Sequence, residues 1–157
     1  MFKATLKSLV LLQMIVWSLV FPLGTGIAQN SPCTESVMEE FFQVLPKMTN
    51  WQAIHGGSRK FIPVCSDDGV FAEGYTDAVV STLAERWQEF PILNQVIKRE
   101  PSFRRFVLRH INASADSDQL RRVESNAQNR CQSSMRKFCD EIAVEAQKAI
   151  REISKLK

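Results

Sequence analysis

The chain has 157 residues, 45% hydrophobic and 24% charged, with 20 lysines and arginines against 17 acidic residues and a formal net charge of +3. That length fits one domain around one core, and so slight a basic excess gives no electrostatic footprint for nucleic acid. No internal repeat, low-complexity tract or linker to a second domain interrupts the sequence.

The first 28 residues read as an export signal. Lys3 and Lys7 form a charged start, and an uncharged, mostly apolar run follows from Ser8 to Leu23. Pro22, Gly24 and Gly26 then break it ahead of Gly26-Ile27-Ala28, which places small residues where a signal peptidase reads. Cleavage is expected after Ala28, leaving residues 29–157 as a single helical domain in the periplasm or outside the cell. Asn30-Ser31-Pro32 before Cys33 is not the small-residue box of a lipoprotein, so the mature chain is expected to carry no lipid and no stable membrane insertion. The alternative is an uncleaved anchor, since no charge stands between Lys7 and Glu35. A spanning helix needs about 20 apolar residues, however, and this run is short and ends in Pro and Gly.

The four cysteines, Cys33, Cys65, Cys131 and Cys139, all follow the signal. An even count in an oxidising compartment points to disulfides. A metal or redox site is the weaker reading, because there is no C-x-x-C pair and neither His55 nor His110 stands at ligand spacing from a cysteine.

The remainder is expected to be all-α, a small disulfide-stabilised bundle of five or six helices. The first runs from Glu35 to Leu45, opened by Thr34 or by Ser36, where Ser36-x-x-Glu39 would form a capping box, and closed by Pro46. Residues 46–69 show no sustained period and contain Pro46, Gly56, Gly57, Pro63 and Gly69. They are expected to form one long irregular loop, holding at most a single turn through Trp51 and Ile54 that Asn50 or Thr49 caps and Gly56 ends. After Asp67-Asp68, carboxylates suited to a helix start, Ala72, Tyr75, Val79, Val80, Leu83, Trp87 and Phe90 share one arc. Glu73, Asp77, Ser81, Glu85 and Gln88 lie opposite. Pro91 and Pro101 each begin a further short helix, the second with Phe103, Phe106, Val107, His110 and Ile111 on one face.

From Ser117 apolar residues recur at spacings of three and four as far as Leu156. One helix over that span would be about 58 Å long, more than such a domain is wide, and a break is expected near Asn126, Asn129, Ser133 and Ser134. A turn at 132–134 lets Cys131 pair with Cys139 across a hairpin and leaves Cys33 to Cys65. Without a break, the two C-terminal cysteines are about 12 Å apart along the axis and must instead tie down Cys33 and Cys65.

Catalytic signatures are absent: G-x-S-x-G, H-E-x-x-H, a P-loop and G-x-G-x-x-G do not occur. Glu73 and Asp77 stand one turn apart, as an acid–base pair would, but on the face opposite the aromatic stripe, where solvent is the simpler environment. No enzyme activity, cofactor or metal is expected. His110, within an apolar stripe, reads as a core histidine with one hydrogen-bond partner, a buried proton switch being the alternative. Lys98, Arg99, Arg104, Arg105, Arg109, Arg121 and Arg122 form the strongest charge excess, read first as a solvated face and second as a surface for an acidic partner. Asn112-Ala113-Ser114 matches a glycosylation sequon, a motif that three residues produce often by chance.

Trp51, His55, Arg59 and Lys60 remain, within a segment predicted to be a braced irregular loop. Long loops and Trp or Arg anchors are common at interfaces; the plainer reading tucks Trp51 and Phe61 under the helices. The expectation is an exported binder of a macromolecular partner, a protein of the envelope or exterior, in the manner of an inhibitor, immunity protein, chaperone or accessory subunit. A small-molecule or lipid carrier with a cavity between helices is the alternative.

Overall fold

A computed structural model describes residues 33–156. The export signal and its cleavage site at Ala28 lie outside the described residues. Among these there are seven α-helices and no strand. They are α1 (Glu35–Val44), α2 (Trp51–Phe61), α3 (Gly69–Glu85), α4 (Phe90–Arg99), α5 (Ser102–Arg109), α6 (Ser117–Asn129) and α7 (Arg136–Lys155). Short 3₁₀ turns precede α4 and α7 and follow α1.

The all-α expectation holds, with two corrections. The helix count exceeds five or six, and residues 46–69 are not one irregular loop. The extra helix is α2, which runs eleven residues straight through Gly56 and Gly57. Asn50 caps it, its side chain accepting a hydrogen bond from the Ala53 amide at 2.9 Å. Glycine costs a helix interior about 1 kcal/mol, and at Gly57, though not at Gly56, a neighbouring side chain occupies the place of a Cβ. A Cβ on Gly57 would sit 2.3 Å from Met48 Cε, so the missing side chain is what lets the buried Met48 lie against α2. Of the two expected start residues, Thr34 is the one that precedes α1, and Ser36 forms no capping box; their hydroxyls meet at 2.9 Å.

Helix α3 is the axis of the fold. Its Tyr75, Val79, Val80 and Leu83 are fully buried, and Phe71, Thr76 and Thr82 are nearly so. Helices α6 and α2 pack on it, and Phe41 of α1 meets its Phe71 and Tyr75 as well as Phe61 of α2. Helices α6 and α7 form an antiparallel hairpin, since Cys131 bonds Cys139 near the turn while Gln147 donates to Glu124 farther along. The break expected after Ser117 is therefore present. Asn126 does not mark it; this buried amide lies inside α6 and donates to the last carbonyls of α3, at Leu83 and Ala84.

Both disulfides form in the hairpin-compatible arrangement. Cys33–Cys65 spans 32 residues and joins the start of α1 to the loop after α2, while Cys131–Cys139 spans eight with its Cα atoms 6.2 Å apart. Such bonds belong to an oxidising compartment. No helix among the described residues is long and apolar enough to cross a membrane.

Candidate site: an arginine-lined groove between α2 and α5

Helix α2 carries all four residues singled out in its segment, and its 3.6-residue period sends them in different directions. Trp51 is 1% exposed and belongs to the core with Phe61, as the plainer of the two readings has it; the reading of Trp51 as an exposed partner anchor is thereby corrected. Its exposure was predicted from an irregular loop; on a helix its position falls on the inward face with Ile54, Ser58 and Phe61. Lys60 points towards α1, where it pairs with Glu40 and lies 5.3 Å from the centre of the Phe61 ring. His55 and Arg59, one turn apart, face α5.

His55 is half-buried, edge-on to Phe103, and its Nε2 donates to Glu100 Oε2 at 2.8 Å. Glu100 also accepts from the Ser102 hydroxyl at 3.2 Å and lies 3.9 Å from Arg59. The His55 hydrogen bond chiefly holds the Glu100 carboxyl below its ordinary range. Desolvation opposes that shift, while the His55 charge, the Ser102 hydroxyl and Arg59 assist it.

Glu100 and Ser102 of this cluster also line a groove of about 500 Å³ that runs between the end of α2 and α5. Phe103, Phe106 and Ile62 form its apolar floor, and Arg59, Arg105 and Arg109 stand along it. All three guanidinium side chains are exposed. Arg109 pairs with Asp67 and Arg59 shares Glu100. Arg105 makes no ion pair among the described residues. A guanidinium over an apolar floor recognises a carboxylate bidentately while the floor takes adjoining apolar surface.

The fold thus brings together parts of two features that lie far apart in sequence, the α2 segment and the basic run. It also divides the basic run. Arg104 turns the other way, donating through Nε to Glu141 at 2.9 Å and lying 4.8 Å from the Phe138 ring centre. Arg121 pairs within its own helix with Asp118. Of the groove residues, Arg105 and Arg109 were visible in the sequence as charge, and Phe103 and Phe106 as a stripe. Their convergence with Arg59 had no local signal, because it needs α2 to be a helix.

Behind the groove is a buried polar cluster. His110 is 1% exposed. Its Nδ1 lies 3.3 Å from Thr76 Oγ1, and its Nε2 lies 3.3 Å from Asp67 Oδ1, at ion-pair distance but not aligned as a hydrogen bond. Burial holds its pKa below the ordinary imidazole value, Arg109 adds to the effect, and Asp67 opposes it. The sequon asparagine belongs to the same cluster: Asn112 donates to Thr76 Oγ1 and to the Arg109 carbonyl, and accepts from the amide and hydroxyl of Ser114.

A second trough, about 800 Å³, lies between α5 and α7 and is walled by Leu108 and the exposed Val144 with Arg136, Lys137, Asp140 and Glu145 around them. Glu73, Asp77 and Glu85 of α3 are exposed. Among the described residues no group of three or more His, Cys, Asp or Glu side chains is placed to hold a metal ion. Comparison of the chain with protein-family models, curated proteins and solved structures gives no match.

Proposed function

We propose that this chain is an exported, non-enzymatic binding protein whose groove between α2 and α5 receives an acidic segment of a protein partner in the envelope or outside the cell. The observation that carries this reading is the convergence of Arg59, Arg105 and Arg109 over a floor of Phe103, Phe106 and Ile62. Arginine beside aromatic surface is the composition that most often anchors protein interfaces, and complementary charge speeds and orients docking. The disulfides support maturation outside the cytoplasm, and the apolar leader of residues 1–28 supports export.

The test is affinity capture from the native envelope or secretion fraction with the mature protein and an Arg59→Glu/Arg105→Glu variant. Both residues are exposed, so the variant should fold. One stoichiometric partner captured by the native chain and lost by the variant is the expected result. Equal capture by both would place the partner elsewhere.

The carrier reading draws on the α5–α7 trough, which is open to solvent and mainly apolar in its walls. A small molecule retained in native mass spectrometry and released by Val144→Glu would favour it over the groove.

A further inference from the structure

We infer that binding in the arginine groove is coupled to proton uptake by His110, through Asp67, whose two carboxylate oxygens face Arg109 on one side and His110 on the other. The inference rests on the groove being the binding site. Asp67 precedes α3 and His110 follows α5, so the contact joins two loops directly behind the groove.

In the free protein Arg109 holds Asp67 Oδ2 from the solvent side, its own side chain 60% exposed against 9% for Asp67. His110 Nε2 waits on the inner side, 3.3 Å from Oδ1, and both of these buried atoms lack a hydrogen-bond partner. An incoming carboxylate competes with Asp67 for Arg109. As Arg109 turns to the ligand, a cation leaves the neighbourhood of His110, and the Asp67 carboxylate loses its partner. Both changes favour the imidazolium. A proton from solvent then gives His110 two donors, Nε2–H towards Asp67 Oδ1 and Nδ1–H towards Thr76 Oγ1, a hydroxyl already held by Asn112.

The other groups around His110 leave that exchange in place. From α3, the Ala72 carbonyl favours the protonated ring, while the Tyr75 phenol is pushed up by burial and by Asp67 and stays neutral. From α7, Glu145, Lys148 and Glu152 line a crevice shared with Arg109 and Asn112. Of these, Lys148 and Glu152 are exposed and Glu145 partly so, and water screens them. Linkage is reciprocal: if ligand raises the proton affinity of His110, protonation raises the affinity for ligand by the same factor. The groove therefore binds more tightly as pH falls through the histidine range.

The chain contains two histidines, so each ring can be followed by NMR through a pH titration, with His110→Gln identifying the His110 signal. Two changes are expected to move the His110 midpoint upward: Arg109→Gln, an exposed substitution that removes the competing cation, and saturation of the native protein with an oligo-glutamate peptide. Affinity for the same peptide should increase between about pH 7.5 and about pH 5.5, a range that brackets the ordinary imidazole pKa, and should lose that dependence in His110→Gln. A midpoint that Arg109→Gln leaves in place, or lowers, overturns the coupling. Peptide binding with an unmoved midpoint also overturns it while the groove reading stands. An upward shift in Arg109→Gln without any peptide binding keeps the Arg109–His110 link and overturns the groove reading instead.

Discussion

At Gly56 and Gly74 the same substitution has opposite outcomes, because only the surroundings differ. A methyl group on Gly56 meets nothing within 4 Å, so Gly56→Ala adds only helix propensity to α2 and should stabilise by about 1 kcal/mol. On Gly74 it would stand 2.9 Å from Leu45 Cδ2 and 3.0 Å from Phe41 Cζ, a ring that is fully buried. Overpacking of that kind costs about 1–3 kcal/mol, so Gly74→Ala should be destabilising after the propensity gain is set against it. Urea denaturation of both variants checks the pair. His110 supplies the pH dependence at this scale. Its pKa in the folded chain lies below the unfolded value of about 6.5, so the unfolded chain binds more protons in between. The stabilisation is fully present above about pH 6.5 and is lost as pH falls below it. The urea midpoint should therefore decline from about pH 7 towards about pH 5 in the native protein, and less steeply in His110→Gln. His110 as a core residue was legible from its apolar stripe, but its carboxylate neighbour was not, since Asp67 is 43 positions away and was read only as part of a helix start.

Among the elements, those with a clean period were legible and the one sustained by a tertiary contact was not. The α3 arc of Tyr75, Val79, Val80 and Leu83 and the three-and-four spacing of α6 and α7 mark these helices directly, but the arc also took in Trp87 and Phe90, which lie beyond the end of α3 at Glu85. The limit on helix length gives the break between α6 and α7. Helix α2 escaped because Gly56-Gly57 carries the local signature of a stop, whereas the helix is held by its Asn50 cap and by the burial of Trp51, Ile54 and Phe61 on either side of the glycines. The disulfides fix how these elements meet. In the chain-entropy model a bond closing 32 residues contributes about 3.5–4 kcal/mol and one closing eight about 2.5 kcal/mol. Replacing Cys33 and Cys65 by serine should accordingly lower stability more than replacing Cys131 and Cys139, as read from thermal or urea unfolding of each double variant. An equal loss would show that the α6–α7 hairpin depends on its disulfide for more than loop closure.

For the molecule as a whole, the groove exists only because the end of α2 and helix α5, both packed on α4, meet at one surface. Three arginines from positions 59, 105 and 109 then share one surface that no window of the sequence displays. The same arrangement explains why Trp51 is an internal support: it fixes α2 against the core and so sets where His55 and Arg59 stand. Trp51→Ala should weaken the fold by about 3–5 kcal/mol, and it would be a misleading probe of binding for that reason. The direct test is photo-crosslinking in the native host from a reactive side chain placed at position 105, in the groove, or at position 122, an exposed arginine of α6 away from it. A single defined adduct from position 105 and none from position 122 is expected of a partner seated in the groove. Adducts of equal yield from both positions, or from neither, would contradict it.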